Sequence, residues 1–166
     1  MNYGAMYGLD SIAVFLIAYF MGADFEAKWP QWIGYILLIL FIVLGIQNYR
    51  DNDLNGYISY GKSLGTGILI AVFGGIVVGA YTLVFFTMIA PDMVNRILET
   101  AQQSLTEKGM SEEQIQMGLE YTRKFMTPGW LMLFSVLGSA FMGLIFSLII
   151  SIFMKKDENP FSQNVG

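Results

Sequence analysis

Four long apolar stretches, separated by short polar connectors and one larger polar insert, set the pattern of this chain. Residues 3–23, 30–49, 62–90 and 128–154 are each long enough to cross a hydrocarbon core of about 30 Å as a helix rising ~1.5 Å per residue. The third stretch is the organising one. From residue 63 to residue 90 it has no charge, and Gly67, Ala71, Gly75 and Gly79 recur every fourth position, so they share one helical face and form a flat groove. The last stretch has a matching stripe, Ser135, Ser139, Gly143, Ser147 and Ser151, at the same spacing. The two ladders predict that the third and fourth spans pack backbone to backbone.

The connectors differ in kind. Trp29-Pro30 opens the second span, where proline suits a first helical turn and Trp29 and Trp32 suit a headgroup boundary. Residues 51–55 are charged and Asn-rich and end in Gly56, which predicts a tight link between the second and third spans. The two tyrosines, two glycines and Lys62 that follow read as an aromatic belt with a snorkelling lysine. Pro91 ends the third apolar run and Pro128 opens the fourth.

Between these prolines, residues 91–127 form the extramembrane insert. Val94, Ile97, Leu98, Ala101 and Leu105 recur at helical spacing, as do Ile115, Leu119, Thr122 and Phe125 or Met126, so two amphipathic helices are predicted. Ser111 followed by Gln114 has the form of a capping box, with Glu112 and Glu113 suiting the positive end of the helix dipole. The polar faces mix acidic with basic residues, which favours a self-packed hairpin over a helix pair lying on a membrane. Residues 157–166 read as a disordered tail.

Composition agrees with this all-α membrane class. Hydrophobic residues make up 55% of the chain and charged residues 13%, well below the share of about a quarter usual in soluble domains. With a net charge of −4 and scattered basic residues, there is no Lys/Arg cluster to hold nucleic acid. Cysteine and histidine do not occur, so thiol nucleophiles, thiolate zinc sites and imidazole acid–base chemistry are unavailable. Gly61-Lys62-Ser63 lacks the preceding glycine and strand of a phosphate-binding loop. No catalytic, cofactor or metal site is expected.

Asp10 is the one carboxylate expected at membrane depth, within the first helix or at its headgroup edge; a structural or interfacial role is its plain reading, and because an acid there is costly it is also a candidate for ion or proton handling. Lys62, at the start of the third span, is its expected partner if both face the same way. Arg50, Lys62, Lys155 and Lys156 flank spans directly on one side, whereas Lys28, Arg96, Lys108, Arg123 and Lys124 lie on the other, so both termini are expected in the cytoplasm. Two functional readings follow. One is an accessory or scaffold subunit that assembles through the small-residue faces, with the lipid bilayer and a second copy or another membrane protein as partners. The other is a component of a small-solute or ion transporter using Asp10.

The ordered features LGIQNYRD, NGYISYGKSLGTG, EKGMSEEQI, FMTPGW and a final MKK resemble domain-of-unknown-function family 4199, small multi-pass proteins of Bacteroidetes. The likeness extends over roughly residues 6–156. It implies four transmembrane helices in a bacterial inner membrane and no assigned activity. Genes of that family tend to lie near membrane glycosyltransferases, which makes a glycosyltransferase one candidate partner.

Overall fold

The computed structural model describes residues 2–23 and 28–156. The expected tail, 157–166, lies outside the described residues. Among the described residues, six α-helices follow in order: α1 (Asn2–Phe20), α2 (Trp29–Asn48), α3 (Tyr60–Val84), α4 (Met93–Glu107), α5 (Glu112–Phe125) and α6 (Pro128–Met154). Two π-helical turns extend α2 (Tyr49–Asp53) and α3 (Phe85–Ile89). Four segments, Asn2–Phe20, Trp29–Asp53, Tyr60–Ile89 and Pro128–Met154, are long and apolar enough to cross a membrane, so this is a multi-pass membrane protein.

α3 is the hub of the bundle. Its most extensive neighbour is α6, and α1 and α2 pack on its other flanks. Along α1, Gly8 meets Gly74 and Val77 while Phe15 meets Tyr81 and Phe85, so α1 and α3 run in the same direction. The start of α1, the end of α2, the start of α3 and the end of α6 therefore share one end of the bundle, and α4 and α5 cap the other. A core of Leu38, Phe41, Ile42, Ile46, Ile58, Ile70 and Ala71 lies toward the first of these ends. Outward positions are apolar too: Phe20 and Phe153 are 80% and 81% exposed, which lipid tolerates and water would not.

Helix boundaries depart from the sequence expectation where a local backbone rule intervenes. α1 stops at Phe20 rather than residue 23, because Gly22 takes a left-handed φ of 66° and lets Ala23 N–H donate to the Ala18 carbonyl (3.0 Å). The third span does not stay α-helical to residue 90. Pro91 has no N–H to continue the ladder, and the chain widens into a π turn in which Ala90 N–H donates to the Phe85 carbonyl (2.8 Å). Around the link between α2 and α3, Asn55 and Gly56 are left-handed (φ 52° and 85°). Ile58 then exchanges two backbone hydrogen bonds with Lys156 (3.0 and 2.9 Å), a clasp that ties the entry of α3 to the exit of α6.

The insert forms a hairpin. Gln114 N–H donates to Ser111 Oγ (3.4 Å) and Ser111 N–H to Gln114 Oε1 (3.1 Å), completing the expected capping box. Leu98 and Ile115 are buried between the helices. At the end of α5 it is Met126 that turns partly inward, while Phe125 is exposed and stacks edge-on against Trp130 (5.5 Å between ring centroids).

Candidate functional site

The two predicted ladders face each other along α3 and α6. A β-carbon added at Gly67 would strike Ser147, one added at Gly143 would strike the Ala71 side chain, and one at Gly75 would lie 2.8 Å from Ser139 Cβ. Ser135 Oγ donates to the Gly75 carbonyl (3.4 Å). At the insert end the register drifts: Gly79 lies against Met132, not Ser135, with 3.0 Å from its notional β-carbon to Met132 Cγ. At the opposite end Ser151 is fully buried, as are Ser147 and Ser63, and the hydroxyls of all three have no hydrogen-bond partner among the described residues. These contacts lie inside one chain, so the small-residue faces are already covered.

A second small-residue seam joins α1 to α3. A β-carbon at Gly4 would lie 2.8 Å from the Ile70 carbonyl oxygen, and one at Gly8 2.7 Å from Val77 Cβ; Gly74 in turn abuts the Tyr7 ring. Gly45 of α2 packs on Ile70. The readable signal was the Gly4-x-x-x-Gly8 spacing, overshadowed by the longer ladders. α3 therefore bears small residues on two faces, which is why it can be packed on both.

Asp10 and Lys62 are not brought together. Both are exposed. The contacts of Gly8 with Gly74 and Val77 place Asp10 level with about residue 78 of α3, roughly 24 Å along the axis from Lys62 at ~1.5 Å per residue. The parallel course of α1 and α3, offset by more than four turns, is the physical reason this expected pair fails. Lys62 instead shares the rim of a cavity of about 600 Å³ with Asp53, Asn48 and Asn2. Asp10 sits near the middle of α1 on an outward face, where an ionised carboxylate costs about 2.5–3.5 kcal/mol at the centre of a spanning helix.

A second cavity, of about 330 Å³, opens between α1, α2 and α3, with Ser139 of α6 at its wall. Tyr7, Ser11, Tyr35 and Tyr81 are among its lining residues, together with aromatic and aliphatic side chains. Thr82 Oγ1 is committed to the Val78 carbonyl (2.8 Å) and Gln31 Nε2 donates to Tyr35 (2.7 Å). The buried Ser11 and Tyr81 hydroxyls have no partner among the described residues; Tyr7 approaches Ser11 and Ser139, short of a formed hydrogen bond with Ser11. Asp10 lines neither cavity. Among the described residues, no three Asp or Glu side chains gather as a metal site would require.

No curated protein and no solved structure matches this chain. A family model does, over residues 2–156, a range that takes in all four spans, both small-residue seams and the cap. With its ordered motifs, four-span bundle and capped α3–α6 pair, the chain belongs to the family described as protein of unknown function (DUF4199).

Proposed function

We propose that this protein is a non-catalytic accessory subunit that associates with another membrane-embedded chain through the lipid-facing surface around Asp10. The observation that carries this reading is the carboxylate itself, outward near the middle of a spanning helix and without an ion pair among the described residues. A partner helix presenting a lysine, an arginine or an amide at that depth removes the cost of holding it in lipid. The small-residue ladders support the role differently from what the sequence suggests. They stiffen the single chain instead of joining copies, and leave association to another surface.

The family resemblance suggests a bacterial inner membrane, and the positive charges that directly flank the spans favour both termini in the cytoplasm. A cysteine-free chain makes this directly measurable. Lys108→Cys should react with an impermeant maleimide in intact cells, and Lys155→Cys only after permeabilisation; the reverse pattern would invert the topology. The transporter reading gains less support, since Asp10 lines neither intramembrane cavity.

Cross-linking in native membranes followed by purification of the full chain in mild detergent tests the subunit role. The wild type should carry one membrane protein, or a second copy of itself, in fixed ratio, and Asp10→Leu should lose it while remaining folded. A chain that runs as a lone monomer, or a partner held equally well by Asp10→Leu, would refute the proposal.

A further inference from the structure

We infer that the cavity of about 600 Å³ at the Lys62 end of the bundle binds a phosphatidylethanolamine, with its head group between Asp53 and Lys62 and one acyl chain descending along α3. The lining is graded in polarity along the bundle axis. On α3 it consists of Lys62, Gly65, Thr66, Leu69, Ile70 and Phe73, one helical stripe that falls roughly 16 Å from a cation to an aromatic ring at ~1.5 Å per residue. α2 runs the other way. Because its Gly45 packs on Ile70, Asn48 comes level with about residue 67 of α3 and Asp53 with about residue 62. Three tiers result: charges at the end of the bundle, amide and hydroxyl groups below them, and hydrocarbon at the bottom. A phospholipid has the same order of head group, glycerol esters and acyl chain.

The charges decide which phospholipid. Asp53 and Lys62 are both exposed, and neither makes an ion pair among the described residues. Nearby charges are engaged: Arg50 pairs with Asp51 (2.7 Å), and Lys156, which shares an adjoining recess of about 370 Å³ with Asp53 and Lys62, lies over the Tyr57 ring (5.6 Å). A lone lysine at a headgroup boundary would accept any lipid phosphate. The carboxylate at the same level adds a choice. It disfavours a head group of net negative charge and calls for a cation that donates hydrogen bonds, which a primary ammonium does and a trimethylammonium does not. One tier down, the exposed amides of Asn48 and Asn2 suit the ester carbonyls. Gly65 leaves room beside them, since a β-carbon there would meet nothing within 4 Å.

The inference is independent of the subunit proposal, because Asp10 lines no part of this cavity. Its test uses the full chain, delipidated in mild detergent, with palmitoyl-oleoyl lipids added singly and binding followed by native mass spectrometry and by the thermal unfolding midpoint. Phosphatidylethanolamine should bind as a single copy and raise the midpoint, about tenfold more tightly than phosphatidylcholine or phosphatidylglycerol with the same chains, the worth of one charge-assisted hydrogen bond. Asp53→Asn should erase the preference over phosphatidylcholine, while Lys62→Gln should weaken both zwitterionic lipids alike. Gly65→Leu sends its side chain into open space, so it should keep the lipid-free midpoint and lose the lipid. Lys28→Gln, at a span-flanking lysine outside the cavity, should bind like the wild type.

If the wild type holds phosphatidylethanolamine no more tightly than phosphatidylcholine, Asp53 does not read the ammonium and the proposal is wrong. Tighter binding of phosphatidylglycerol would make this a site for anionic lipid and refute it equally. It also fails if Gly65→Leu retains the lipid, which would place binding outside the cavity, or if glycerophosphoethanolamine, the head group without chains, competes as well as the whole lipid.

Discussion

The α3–α6 seam and the α4–α5 cap are both antiparallel helix pairs from one chain, yet they are held together in opposite ways. In the seam, glycine, alanine and serine let the backbones approach until a single added β-carbon would collide, and the cohesion is close packing with almost no large side chain between the helices. In the cap, the two helices meet through buried Leu98 and Ile115 and leave beside them a cavity of about 570 Å³ whose lining includes Asn95, Gln102, Gln116, Glu120 and Arg123. The solvent explains the contrast. Lipid gives helices no hydrophobic reason to associate, so the membrane pair relies on contact at short range, whereas in water even a thin apolar stripe is driven together.

The largest effect should therefore come from enlarging a seam glycine. Gly143→Leu forces a branched side chain into Ala71 and should cost roughly 3 kcal/mol or more, seen as a collapse of the thermal midpoint in detergent. A midpoint within a degree or two of the wild type would mean that the seam does not hold the bundle. Gly79→Leu sharpens the point, because its β-carbon would meet Met132 Cγ (3.0 Å) and the Met132 carbonyl oxygen (3.2 Å), a looser fit than Gly143 against Ala71; about 2 kcal/mol is expected, less than for Gly143→Leu.

In the cap, Leu98→Ala should lower stability by about 1–2 kcal/mol, less than a full core truncation because a loosely packed site can close. The loss should be local, raising amide exchange across residues 93–125 while that of α3 and α6 is unchanged; if exchange rises throughout, cap and bundle unfold as one unit. Ser111→Ala removes the capping box and should cost about 1 kcal/mol, read as faster exchange at the first turn of α5. Smallest of all, Ser147→Ala should fall within about 0.5 kcal/mol of the wild type, since it deletes a hydroxyl with no partner among the described residues and preserves the packing. A loss above 2 kcal/mol there would show that Ser147 is hydrogen-bonded across the seam.

Much of the fold was legible because its periodicities are long and uninterrupted. The ladder of Gly67, Ala71, Gly75 and Gly79 names a face, and the serine stripe of α6 is a matching surface of comparable length. The α5 cap was legible for another reason: Ser111 and Gln114 interact three positions apart, and such local chemistry does not wait for tertiary structure. The Asp10–Lys62 pair was misjudged because it depends on the relative height of two helices that no spacing records. Neither cavity had a sequence signal. Tyr7, Ser11, Tyr35 and Tyr81 come from three different spans, and each on its own looks like an ordinary membrane residue.

By itself, the sequence determined the solvent and the elements: apolar length demands a bilayer, and a backbone with no water to bond must close its hydrogen bonds within each helix. It also determined which helix could be approached closely, since residue size is a property of single positions. Only the tertiary structure decided how far α1 slides along α3, where α6 drifts from Ser135 to Met132, and which hydroxyls are stranded beside a cavity. Those outcomes are set by the simultaneous fit of several surfaces, and a sum over many weak contacts is not written in the spacing of any one of them.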